Sequence, residues 1–191
     1  MKATGIVRRI DELGRVVIPK EIRRTLRIRE GDALEIYTDR EGGVILRKYS
    51  LVGELGDFSR EYAESLHQSV GHIAVICDKD TVVACASSSR KDPAPGSPIA
   101  PEKPISDELE SLMAARKAVL RSAANGDTML PVTRTDEKRA YTAQYVVPII
   151  ASGDPIGAVA LLSREPNAAF TQADMKVAET AAAFLGRQLE N

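Results

Sequence analysis

Nine basic side chains fall within the first 29 residues: Lys2, Arg8, Arg9, Arg15, Lys20, Arg23, Arg24, Arg27 and Arg29, against Asp11, Glu12 and Glu21, a net of +6. On a helix starting near Pro19, Lys20, Arg23, Arg24 and Arg27 stand at i, i+3, i+4 and i+7. They form one stripe, with Ile22 and Leu26 opposite. Four like charges over two turns repel one another, and interspersed glutamate would serve solubility better. Arginine dominates the set, and its planar fork binds a phosphate or a guanine edge through two hydrogen bonds. The pattern therefore favours nucleic acid over a merely solvated face or another acidic partner, protein or membrane.

Other residues with chemical potential point nowhere comparable. No Gly-x-Ser-x-Gly elbow, phosphate-cradling Gly-x-x-x-x-Gly-Lys loop or Cys/His metal spacing occurs. No enzymatic activity, catalytic residue, bound metal or cofactor is expected. His67 and His72, the two histidines, read as structural or exposed, and Asp78 and Asp80 as turn residues. Cys77 and Cys85 lie in short apolar runs. If these pair as a hairpin turning at Lys79-Asp80, Cys77 faces Val82 and Cys85 faces Ala74. The thiols are then about three rungs, or roughly 10 Å, apart, beyond the roughly 7 Å reach of a disulfide. Buried, reduced thiols are expected.

The formal net charge of the 191 residues is only -1, which by itself argues against a nucleic-acid binder. The average hides a split: residues 1–50 carry 12 Lys+Arg and 8 Asp+Glu, net +4, while residues 51–191 carry 14 and 19, net -5. No apolar run approaches the roughly 18 residues that span a bilayer. A cytoplasmic, soluble, nucleoid-associated protein without membrane contact is expected.

The elements that must position the stripe are small. Residues 5–10 and 15–18 read as strands around a turn at 11–14, and Pro19 suits the first turn of a helix running to about Leu26. Two alternating runs, 33–39 and 44–49, flank Arg40-Glu41-Gly42-Gly43, a hairpin turn. So small a segment buries too little to stand alone, and a second copy is expected to complete it. Residues 51–57, with Gly53 and Gly56, read as a linker between a unit at 1–50 and another at 58–191.

The second unit reads as helix, hairpin, loop, helix, hairpin, helix. Phe58, Tyr62, Leu66 and Val70 recur every four positions on a helix ending at Gly71. The five prolines of 87–104 suggest an irregular surface loop. A helix follows from Ser106 or Asp107 to about Leu120. Residues 141–151 and 155–164 are apolar on successive positions, as in strands covered on both faces. Thr171 and Asp174 form a variant capping box, with Phe170 and Met175 at the staple positions. The helix they open, to about Leu189, has two apolar stripes. Met175, Ala178, Ala182, Leu185 and Leu189 form one; Val177, Ala181 and Phe184 form the other, which reads either as a junction with another helix or as part of one wide core-facing surface.

The string Thr4-Gly5-Ile6-Val7-Arg8-Arg9-Ile10-Asp11-Glu12-Leu13-Gly14-Arg15-Val16-Val17-Ile18-Pro19, continued by Glu21-Ile22-Arg23-Arg24-Thr25-Leu26, closely resembles the DNA-binding domain of the AbrB-type transition-state regulators. The order of elements after residue 58, with Val147-Pro148-Ile149, Ile156-Gly157-Ala158-Val159 and Phe170-Thr171, resembles a GAF domain. The resemblance implies an α+β protein: a domain-swapped, swapped-hairpin β-barrel dimer, then a GAF-like domain with an antiparallel sheet and flanking helices. It implies a transcription regulator of sporulation genes, activator and repressor, that binds A·T-rich double-stranded DNA as a homo-oligomer. Dimers would form through 1–50 and tetramers through GAF-like helices including 171–189. The family's DNA-contacting arginines match Arg8, Arg15, Arg23 and Arg24. Lys2 and Arg9 are added as phosphate contacts, and Lys20 from the stripe. The Asn-Lys-Phe-Asp-Glu signature of cyclic-nucleotide-binding GAF domains is absent, which leaves open an unidentified small-molecule ligand or a pocket used only for packing. Short AbrB-type segments also serve antitoxins, whose remaining chain is a disordered toxin-binding tail; an antitoxin is the alternative.

Overall fold

The computed structural model describes residues 5–54, 56–89, 96–136 and 141–190, so Lys2 lies outside it. The chain divides into two compact units, Met1–Tyr49 and Ser50–Asn191.

The first unit contains helix α1 (Lys20–Thr25) and an antiparallel hairpin, β1 (Leu34–Thr38) with β2 (Val44–Lys48). The hairpin turns where expected. Asp39 Oδ1 accepts the amides of Glu41 at 2.9 Å and Gly43 at 2.6 Å. A β-carbon on Gly43 would collide with the Asp39 carboxylate, so this position admits only glycine without rearrangement. Residues 5–10 and 15–18, expected as strands, form none. A strand needs a neighbouring strand to take its N–H and C=O groups, and among the described residues no strand pairs with these runs. No described residue of the unit is buried, and Val7, Ile10, Leu13, Val16 and Val17 are all more than half exposed.

The second unit is built on a five-stranded antiparallel sheet in the order β4-β3-β7-β6-β5. Its strands are β3 (Ile73–Asp78), β4 (Val82–Ala86), β5 (Val119–Ser122), β6 (Ala143–Ala151) and β7 (Asp154–Ser163). Side chains alternate across it: Ala74, Ile76, Val159 and Leu161 enter one core with helices α3 (Gly56–Val70) and α5 (Gln172–Gln188). Val75, Cys77, Ala158, Ala160 and Leu162 enter the other, beneath α4 (Asp107–Ala114). Both faces are covered, which is why β6 and β7 read as continuous apolar runs.

Four details differ from the sequence-based expectation. Residues 51–54, within the expected linker, form helix α2 (Leu51–Glu54), and Val52 is fully buried in the α3/α5 core. Residues 97–104 are no surface loop: Ile99 is completely buried, and the Lys103 carbonyl accepts from the Val82 amide. Proline lacks an N–H but keeps its carbonyl, so the run can still lie along β4; Pro104 bridges Thr81. Helix α4 stops at Ala114, short of Leu120, because Arg116 adopts a left-handed φ of 56° and Val119 pairs with Val146 in the sheet. A bulge between Ile76 and Cys77 shifts β4, so Cys77 faces Val82 as expected but Cys85 faces Val75 instead of Ala74. Neither thiol forms a disulfide, and both are buried.

The last helix follows its sequence closely. Asp174 Oδ2 accepts the Thr171 amide at 2.7 Å, and Thr171 Oγ1 accepts the Asp174 amide at 3.2 Å, the reciprocal pairing of a capping box. Of its expected second stripe, Ala181 belongs to the core at 1% exposure, whereas Val177 and Phe184 face outward.

Candidate nucleic-acid interface

Helix α1 begins after Pro19, whose extended backbone (ψ 149°) launches it without a side-chain cap, and its carbonyl accepts the Arg23 amide at 2.9 Å. Six residues are fewer than the charge stripe needs. Arg27, its fourth member, lies beyond the helix in a left-handed conformation with φ 54°, so the stripe contracts to Lys20, Arg23 and Arg24. Lys20 and Arg24 are exposed, while Arg23 is half-buried with its Nε sealed from solvent and unpaired among the described residues.

The segment after the helix is tied to the hairpin. Lys48 Nζ pairs with Asp32 at 3.1 Å and donates to the Arg27 carbonyl at 3.1 Å, while Asp32 accepts the Arg29 amide at 2.8 Å. This half-buried network anchors the end of α1 to β2 and so sets the helix's direction against the hairpin. On the hairpin, the Arg47 guanidinium lies over the Tyr37 ring, 5.2 Å from its centroid.

Arg8 and Arg9 are exposed. Arg15 closes the turn expected at 11–14: the Asp11 amide donates to the Arg15 carbonyl at 3.1 Å, and the Gly14 amide to the Asp11 carbonyl at 3.0 Å. Asp11 also receives the side chain, Arg15 Nε to Oδ2 at 2.7 Å. The Arg15 backbone N–H, then its guanidinium, hold the Asp11 carboxyl below its ordinary range. Sequence reasoning missed Asp11; its signal was an aspartate opening a turn four residues before a key arginine.

Elsewhere the chemically suggestive residues have structural partners. Asp78 accepts the amides of Asp80 and Thr81 at 2.7 and 2.6 Å and the Ser50 hydroxyl at 2.5 Å. His67 Nδ1 lies 2.7 Å from the His72 carbonyl, and His72 meets Phe170 edge-on. Among the described residues, no group of three or more His, Cys, Asp and Glu is placed to hold a metal, and no helix is long and apolar enough to cross a membrane.

A basic unit without a core of its own, followed by a GAF-like sheet and helices, defines a two-domain transcription regulator. Residues 54–190 match the family model described as "Stage V sporulation protein T C-terminal, transcription factor", and the chain belongs to that family. It is 53% identical over 191 residues to stage V sporulation protein T of Bacillus subtilis (strain 168), covering 100% of this chain and 99% of the relative. It is also 60% identical over 63 residues to the transition state regulatory protein AbrB of the same organism, covering 30% of this chain and 65% of that one. The second unit's fold is similar to the GAF domain from Acinetobacter phosphoenolpyruvate-protein phosphotransferase, with a TM-score of 0.53 and 12% identity over 74% of this chain and 83% of that one. Residues 7–53 match a model for the MazE antitoxin, bacterial antidote-toxin recognition. That match ends at residue 53, while the family and the relative extend through the folded second unit. Regulation of transcription is therefore favoured over the antitoxin.

Proposed function

We propose that this protein binds double-stranded DNA through its first unit as a sequence-selective activator and repressor of sporulation genes in the developing spore, acting in the cytoplasm at the nucleoid. Lys2, Arg8, Arg9, Arg15, Lys20, Arg23 and Arg24 contact the DNA, Lys2 and Arg9 at phosphates. Two copies of residues 1–50 interleave into a swapped-hairpin barrel, which doubles the cationic surface. Residues 58–191 serve regulation and assembly, pairing dimers into tetramers.

The observation that carries this reading is the first unit itself. Its apolar residues at 5–18 lie exposed beside arginines, in contrast with the packed core of the second unit. A second copy would supply both the missing strand partners and the missing core. A·T-rich DNA suits arginines spread over a surface, since its narrow minor groove draws them by shape and potential.

Titrating an A·T-rich promoter fragment at several salt concentrations tests the surface. Log K should fall linearly with log salt, by roughly 0.9 per phosphate neutralised. Replacing Arg23 and Arg24 together by Ala should abolish binding and leave the assembly intact. A flat salt response, or normal binding by the double variant, overturns the assignment.

A further inference from the structure

We infer that Asp11 is a positioning residue for DNA recognition: it holds the Arg15 guanidinium by its Nε and leaves the terminal nitrogens to meet the nucleic acid. The inference rests on the assignment of Arg15 to the DNA surface.

Asp11 occupies an unusual place for an acid, within the most basic stretch of the chain. Its Oδ1 accepts the amides of Leu13 at 3.0 Å and Arg15 at 2.8 Å, which fixes the carboxylate to the loop backbone. Its Oδ2 is then turned to Arg15 Nε at 2.7 Å. The Arg15 side chain remains 70% exposed. An ion pair so open to water adds little to folding, so its consequence is geometric. A guanidinium gripped at Nε presents its Nη1/Nη2 edge outward, the edge that can take a phosphate or guanine O6/N7 with two hydrogen bonds. An unheld arginine must give up its rotamer freedom when it binds; one already ordered keeps that part of the affinity, roughly twofold to tenfold.

Charge counting predicts the opposite outcome. Removing the Asp11 carboxylate makes the first unit more positive by one and should tighten DNA binding. The two accounts therefore differ in sign for the same substitution.

The full-length protein decides between them. Asp11→Asn retains an amide oxygen for the backbone N–H groups but cannot pair with a guanidinium. Its dissociation constant for a promoter fragment at fixed salt should rise by roughly twofold to tenfold, and that of Arg15→Ala by about tenfold. In the Arg15→Ala background, Asp11→Asn should cause no further loss. If Arg15→Ala weakens binding and Asp11→Asn leaves it equal or tighter, the positioning role is overturned. An equal loss from Asp11→Asn in both backgrounds also overturns it, since the residue then acts only on the loop's shape. Unchanged binding by Arg15→Ala overturns the DNA assignment of Arg15 beneath it, a result distinct from the other two.

Discussion

Gly186 of α5 lies so close to the Ile150 carbonyl of β6 that a β-carbon on the glycine would overlap that oxygen. The last helix can rest on the sheet only because this position carries no side chain. Its neighbours Ala178, Ala181, Ala182 and Leu185 follow it into the core. Gly186→Ala should therefore cost about 1–3 kcal/mol through overpacking, although alanine is the better helix former. Thermal melting of the full chain measures it, and an unchanged midpoint would refute the close approach.

The outer face of α5 carries a second expectation. Phe184 stacks on Tyr62 with centroids 5.7 Å apart and planes 6° apart, and Phe58 stands 5.6 Å from Tyr62. Phe58, Phe184 and Val177 are each 36–39% exposed, beside a groove lined by Tyr62, Ser65, Ser69 and Thr180. If this face pairs dimers into the proposed tetramer, Phe184→Glu should leave dimers in analytical ultracentrifugation while DNA binding by the dimer persists. A tetramer that survives this substitution assembles elsewhere.

Alkaline pH should loosen the sheet. Burial, then the neighbouring Asp78 charge, pushes the Cys77 thiol up to about 12 from an ordinary 9.0. Burial and the Glu179 carboxylate push the Tyr145 phenol up to about 12 from 10.0. A group whose pKa is higher folded than unfolded contributes stability that is whole below the unfolded value and lost as pH climbs to the folded one. The urea midpoint should thus hold to about pH 9 and fall between about pH 9 and 12, with Cys77→Ala blunting the first part of the decline. A midpoint constant to pH 11 would contradict the burial of both groups.

Limited proteolysis separates a regulator from an antitoxin. With both faces of its sheet covered, the second unit should survive as a fragment beginning near Ser50 with no partner present. Immediate digestion of that region would favour the toxin-binding alternative.

Much of this was legible in the residues alone. The capping box at Thr171 and Asp174, the hairpin at Asp39 to Gly43 and the doubly covered strands β6 and β7 follow from turn, cap and hydropathy chemistry within a few residues of each site. The basic charge and the small size of the first unit were equally local matters of composition. What escaped depended on distant neighbours. Residues 97–104 look like a surface loop until Ile99 finds the core. The four-residue spacing of Phe58, Tyr62, Leu66 and Val70 drifts around a 3.6-residue helix, so only the tertiary fold decided that Leu66 enters the core while Phe58 turns out toward Phe184. The helix after Ser106 ends where Val119 is claimed by β6, and Cys85 faces Val75 because of one bulge. The pairing of Asp11 with Arg15 also belongs to the structure, because charge arithmetic counts an acid among bases as a loss, and only geometry shows which nitrogen it holds.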